Sequence, residues 1–121
     1  MVYNFLMEGN KKWTLLFRAA DKRNFLEIKN GTKVVETRAA TPKYREVKKG
    51  DILVIVCGKD RLEKKVKRVR VFPSIGAMTK TISYKKIMPS VSSVAEMRKV
   101  YYGYSGYREK LKKYGVIAFE I

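Results

Sequence analysis

Gly31-Thr32-Lys33-Val34-Val35-Glu36-Thr37-Arg38 is the stretch from which the fold is read. Upstream of it, Asp21 is placed to cap a helix, Phe25 and Ile28 with Leu26 supply a buried stripe, and Asn30-Gly31 supplies a left-handed stop. A helix of about three turns needs a sheet to lean on if it is to persist. Past Gly31 the chain enters a strand at once, predicted over residues 33–38. On that strand Glu36 and Arg38 lie two residues apart and project to one face, where a carboxylate–guanidinium pair can form. Lys33 has the opposite parity and reaches them only if it belongs to the turn. The plainer reading is an edge strand with a surface ion pair, which contributes little.

Working outward, residues 2–7 and 13–18 are apolar runs around Glu8-Gly9-Asn10-Lys11-Lys12, a hairpin pattern with a polar turn. Residues 39–49 read as a loop containing Pro42. The run Ile52-Leu53-Val54-Ile55-Val56-Cys57 is continuously apolar, as in a strand covered on both faces. Gly58-Lys59-Asp60 turns the chain into a second strand over residues 62–72. There Leu62 and Val66 share one parity and Val69 and Val71 the other, so a β-bulge is expected near Lys67-Arg68. Residues 73–90 hold Ile75, Met78, Ile82, Ile87 and Met88 as anchors for short helical turns. Ser92 or Ser93 caps a clearer helix carrying Val94, Met97, Val100 and Tyr101, with Glu96 as capping-box partner to Ser93. A short helix over residues 103–113, a stop at Gly115 and a strand over residues 116–121 complete the chain. The order predicts an α+β fold, a small mixed β-barrel or curled sheet with flanking helices, as one domain over residues 1–121.

The 121 residues carry 28 Lys+Arg against 11 Asp+Glu, a formal charge of +17, with 45% apolar residues. A chain of this size buries enough surface to fold without a staple, and so large a positive excess points to an anionic partner. Histidine is absent, which excludes Ser-His-Asp and Cys-His catalysis and His-ligated zinc. The single cysteine, Cys57, ends an apolar run and reads as a buried, inert thiol. No metal, cofactor, ATP or dinucleotide motif is found. The amino terminus lacks a signal-peptide pattern and no apolar run is long enough for a membrane span, so a cytoplasmic protein is expected. Glutamine is absent, Lys is the commonest charged residue and Glu outnumbers Asp, which fits a thermophile composition.

The pattern Gly31-x-Lys33-x-x-Glu36-x-Arg38 resembles the hallmark of ASCH domains (activating signal cointegrator homology), members of the PUA-like superfamily. The resemblance extends to Lys49-Gly50-Asp51 before a hydrophobic strand, to the basic strand running into Phe72-Pro73-Ser74, and to the terminal stretch Lys113 to Ile121, covering about residues 21–121. It implies a PUA-like β-barrel and a cleft where the motif's charges face an RNA ligand. A small amidohydrolase branch that deacylates N4-acetylcytidine is similar at Lys33, the position of its nucleophile. That branch has a threonine where this chain has Glu36. Its catalytic glutamate falls in a segment where this chain has no acidic residue between Gly76 and Val94.

The expected function is therefore RNA binding, or binding of an RNA-derived nucleotide, in a charged cleft. Lys33 and Arg38 are expected to hold phosphate or carbonyl oxygens, with Glu36 accepting from a base edge or positioning Arg38. Tyr44 and Arg45, in the loop after the motif strand, are candidate base contacts. Seven of the twelve residues 59–70 are basic, and Lys65, Lys67, Arg68 and Arg70 are assigned to a phosphate-tracking stripe. Lys85 and Lys86, with Lys80, are candidates for the opposite wall. Of Tyr101, Tyr102, Tyr104 and Tyr107, Tyr101 and one of Tyr104 or Tyr107 are expected in the core. The alternative is a small enzyme on RNA or modified nucleosides, an amidohydrolase or ribonuclease, using Lys33 and Glu36. A third class is a protein-interaction module.

Overall fold

The structure is a computed structural model that describes residues 10–121. The expected α+β class is observed. Among the described residues six strands form two three-stranded sheets: β1 (Lys12–Phe17), β3 (Ile52–Cys57) and β4 (Asp60–Lys65) in the order β1-β3-β4, and β2 (Val35–Ala39), β5 (Arg68–Phe72) and β6 (Val116–Glu120) in the order β2-β6-β5. Among the described residues there are six α-helices: α1 (Lys22–Asn30), α2 (Pro42–Arg45), α3 (Ile75–Thr79), α4 (Tyr84–Ile87), α5 (Val94–Gly103) and α6 (Tyr107–Tyr114). No ladder among them joins β1 to β2, so the strands do not close into a barrel.

β3 runs between β1, which is parallel to it, and β4, which is antiparallel. That central place pairs both of its edges, but only one face enters the core. Leu53, Ile55 and Cys57 pack there, while Ile52, Val54 and Val56 face the other way beside exposed Thr14, Leu16, Arg61 and Glu63. Among the described residues the expected cover on both faces is not found. The run 13–18 is thus the core of β1, paired with β3; the partner run 2–7 of the expected hairpin lies outside the described residues. β6 divides two cores by its two-residue period. Ile117, Phe119 and Ile121 pack with Leu15, Phe25 and Ile55, while Val116 and Ala118 pack with Met78, Met97 and Tyr101.

The bulge expected near Lys67 is instead a change of sheet. The ladder of β4 on β3 ends at Lys65, the Val66 N–H then donates to the Asp51 carbonyl, and the Lys67 N–H donates to the Glu120 carbonyl. One strand direction thus serves two sheets, with Val66 fully buried at the crossing. Alternation breaks there because the chain passes from one sheet to the other while Leu62, Val66 and Val69 all stay on the same core.

Gly31 ends α1 in the left-handed region at φ 84°, and the Gly31 and Lys33 N–H groups donate back to the Ile28 and Glu27 carbonyls. This closure holds Lys33 in the turn, and β2 begins only at Val35. Asp21 precedes α1 but makes no capping bond; its carboxylate accepts from Arg18 at 2.8 Å. The segment 39–49 is not all loop, because α2 starts on Pro42, whose fixed φ suits a first helical turn. At α5 the expected box is offset by one residue. Ser93 Oγ accepts from the Glu96 N–H, whereas the Glu96 carboxylate accepts from the Ser92 N–H and hydroxyl.

Candidate functional site

The tight exit from α1 turns the Lys33 side chain inward under β2. Its Nζ donates to the Val35 carbonyl at 3.0 Å and to the Ile87 carbonyl, and lies 3.4 Å from Glu36 Oε1. An ammonium has three N–H donors, and here three acceptors meet it. Burial pushes the Lys33 pKa down, and the Glu36 carboxylate opposes that shift. The other Glu36 oxygen, Oε2, accepts from Arg38 Nε at 3.3 Å and from its terminal nitrogen at 3.2 Å. Arg38 also lies over the Phe17 ring at 5.4 Å and near the Tyr44 ring at 6.0 Å. Two cations share one carboxylate, so the cluster keeps one net positive charge. Its members are far from a surface pair: Lys33 is 4% and Glu36 5% exposed.

This cluster floors a cavity of about 270 Å³ between the end of β1 and β2, close to the lower end of small-molecule pockets. Leu16, Phe17 and Arg18 form one wall; Tyr101, Tyr104 and Tyr107 form the other. The Thr37 and Tyr101 hydroxyls are hydrogen-bonded to each other, and the Tyr107 hydroxyl accepts from the Ala39 N–H at 3.2 Å. Burial pushes all three tyrosine pKa values up. For Tyr104, burial and then the nearby Asp21 take it to about 12. The tyrosine wall is therefore uncharged at neutral pH, facing a cationic floor. Arg18 lies 4.9 Å over the Tyr104 ring at the mouth, and Tyr104 meets Tyr107 edge-on at 5.4 Å.

A crystal structure of the hypothetical protein PH0355 is similar to this chain with a TM-score of 0.77 and 36% identity, over 90% of this chain and 95% of that one. A solution NMR structure of protein PF0455 from Pyrococcus furiosus is similar with a TM-score of 0.68 and 34% identity, over 90% and 94%. The chain belongs to the family of PH0355. No family model and no curated protein matches it.

In this PH0355-family chain the cavity gathers Lys33, Glu36 and Arg38, but none of the other residues assigned to RNA in the sequence. Tyr44 stacks behind Arg38 rather than over the cavity. Arg45 is spent on the backbone, donating to the Ala40 carbonyl at 2.7 Å and the Tyr114 carbonyl at 2.9 Å. The stripe 59–70 is divided by the change of sheet. Lys65 and Lys67 line a separate notch with Lys49 and Gly50, while Arg68 and Arg70 approach Glu120 at 3.7 and 3.2 Å. Lys85 and Lys86 are exposed on α4 and do not form the opposite wall. Lys33, expected to hold a ligand oxygen, holds Glu36 and two carbonyls instead.

Phe17, Arg18 and Thr37 line the PH0355-family cavity without having been assigned a site role, and Met88, expected only as a helix anchor, lines it too. Tyr101 is in the core as expected, and Tyr104 and Tyr107 are both half-buried on the cavity wall. Their clustering was the available signal; which of them face the cavity depends on how α5 and α6 meet β2. Cys57 is buried, its thiol 3.7 Å from the Arg18 carbonyl oxygen. Among the described residues no group of three His, Cys, Asp or Glu could hold a metal ion, and no helix is long and apolar enough to cross a membrane.

Proposed function

We propose that the chain is an RNA-binding protein whose cavity takes one nucleotide of a single strand, the flanking phosphates lying on basic surface outside it. The observation that carries this reading is Arg38, which is held by Glu36 between aromatic rings at a cavity with phenol walls. Aromatic faces and a guanidinium suit a base and its phosphate, and a charge of +17 supplies long-range attraction. We further assign the chain to the ASCH domains of the PUA-like superfamily. In that reading, β1-β3-β4 and β5-β6-β2 are the halves of a barrel joined at the β4–β5 crossing and open at the cleft.

Binding is favoured over the enzymatic alternative by the use already made of its two candidate groups. Lys33 is surrounded by acceptors, and both Glu36 oxygens are in ion pairs. A nucleophilic amine needs a free lone pair and a general base a free oxygen. The test is fluorescence anisotropy with a labelled single-stranded oligouridylate across a salt series. A site touching about four phosphates loses roughly fiftyfold in affinity over a fourfold rise in salt, at a slope of about −0.7 per phosphate. Arg38→Ala is expected to weaken binding by about tenfold. Salt-independent binding, or none at low salt, would remove RNA as the ligand.

A further inference from the structure

The backbone of β2 leaves one rung of its free edge open at the cavity. Among the described residues β2 has a partner strand on one side only, β6. Ile121 N–H donates to the Val34 carbonyl at 3.0 Å and Ala40 N–H to the Gly115 carbonyl at 2.9 Å, in register with the β2–β6 ladder. Even-numbered residues of β2 therefore direct their peptide groups to β6, and antiparallel alternation turns Val35, Thr37 and Ala39 to the other edge. The Val35 carbonyl is taken by Lys33 Nζ, the Ala39 N–H by the Tyr107 hydroxyl, and the Ala39 carbonyl by the Thr41 N–H. Thr37 is the rung on which neither N–H nor C=O has a partner among the described residues. Thr37, Lys33 and Tyr107 all line the cavity, and Thr37 is 7% exposed. Buried backbone groups are nearly always paired, so this donor–acceptor pair is a binding feature rather than a neutral part of the wall.

Two ligand shapes answer a donor beside an acceptor. An added peptide strand uses several successive rungs, and here the Val35 carbonyl on one side is taken by Lys33 and both Ala39 groups on the other by Tyr107 and Thr41. A planar nucleobase needs one rung. Each of the four bases carries an acceptor next to a donor on its Watson–Crick edge, such as O4 and N3–H of uracil, and single-stranded RNA exposes that edge whereas a duplex consumes it. The geometry points to Thr37 as the residue whose main-chain N–H and C=O read the Watson–Crick edge of an unpaired base. This rests on the RNA-binding reading and deepens it: the site selects for an unpaired, unblocked base and not for a particular one.

The test compares an oligouridylate with the same oligomer built from 3-methyluridine, in which N3 carries a methyl group and cannot donate. Both have the same phosphates, so their affinity ratio isolates the base edge. The methylated oligomer is expected to bind roughly tenfold or more weakly, the size of a lost bidentate base contact. In ¹⁵N-resolved NMR of the wild-type protein, the Thr37 amide proton is expected to move downfield with the unmodified oligomer only. Thr37→Pro removes the N–H at an edge position that tolerates proline but keeps the C=O, so it should weaken the unmodified oligomer more than the methylated one and narrow the ratio between them. If that variant does not fold, the wild-type amide shift decides. Equal affinity for the two oligomers, or an unmoved Thr37 amide with oligouridylate bound, overturns the assignment while leaving RNA binding intact. Absence of binding by either oligomer at low salt overturns both.

Discussion

Lys33 Nζ lies 3.4 Å from Glu36 Oε1 with both side chains almost wholly buried. The pair links the turn after α1 to the middle of β2, and through the Ile87 carbonyl to α4. Its position beneath the cavity floor makes Lys33 a positioning residue: it fixes Glu36, and Glu36 fixes Arg38.

Removing Lys33 should therefore act on stability before it acts on binding. Lys33→Met leaves Glu36 with a single cationic partner and two carbonyls without donors. Breaking a buried ion pair from one side costs about 3–5 kcal/mol. Arg38→Ala, at the better hydrated end of the cluster, should cost markedly less while weakening RNA binding. Urea unfolding of the two variants checks the contrast. A Lys33→Met protein as stable as wild type would mean that Lys33 is free to meet ligand.

Acid should find a weak point at Asp51. Its carboxylate is buried and accepts from the Lys11 N–H at 3.0 Å, the Lys48 N–H at 2.9 Å and Trp13 Nε1 at 2.8 Å. Burial alone would raise its pKa, but these hydrogen bonds outweigh burial and lower it. A carboxylate depressed on folding contributes stability that is complete above its unfolded value, about 4, and is lost as pH falls through the folded value. Thermal melts should thus show stability declining below about pH 4. In Asp51→Asn that part of the acid slope should be absent, with a lower plateau at neutral pH. An unchanged acid slope in Asp51→Asn would assign the loss to other carboxylates.

Two glycines outside regular structure should respond differently to a methyl group. Gly115 has φ 77°, and a Cβ there would stand 2.4 Å from the Phe72 carbonyl oxygen, a backbone atom that cannot turn aside. Gly106 has φ 69° but no atom within 4 Å of such a Cβ. Gly106→Ala should cost about 1–2 kcal/mol for the left-handed backbone alone. Gly115→Ala adds displacement of the β5–β6 pairing and should cost about 3 kcal/mol or more. Equal losses in denaturant unfolding would show that β5 yields at Phe72.

The local devices were legible because their signals are local. The stop at Gly31, the cap at Ser93, the stop at Gly115 and the apolar strand within 52–57 each depend on a few neighbouring residues. The broken alternation at residues 62–72 was legible as well, but its meaning was not. A bulge and a change of sheet disturb the two-residue period alike, and only the bonds of Val66 to Asp51 and of Lys67 to Glu120 separate them. Arg45 misled for a related reason: a loop arginine looks free until the Ala40 and Tyr114 carbonyls are brought to it.

From the sequence alone came the α+β class, the order of the main elements, the +17 charge, the absence of histidine chemistry and the association of Lys33, Glu36 and Arg38. These follow from residue type, from periodicity and from separations of a few residues, all written into the chain itself. The tertiary structure alone decided that Lys33 is consumed by acceptors, that Tyr104 and Tyr107 rather than Tyr44 face the cavity, and that Thr37 keeps an open backbone rung. Each of these depends on groups distant in sequence. Tyr107 is 68 residues from the Ala39 amide it accepts from, and Ile87 is 54 residues from the Lys33 that its carbonyl holds. Such contacts are set by how the helices pack across the edge of β2, and no period or spacing within the chain encodes that packing.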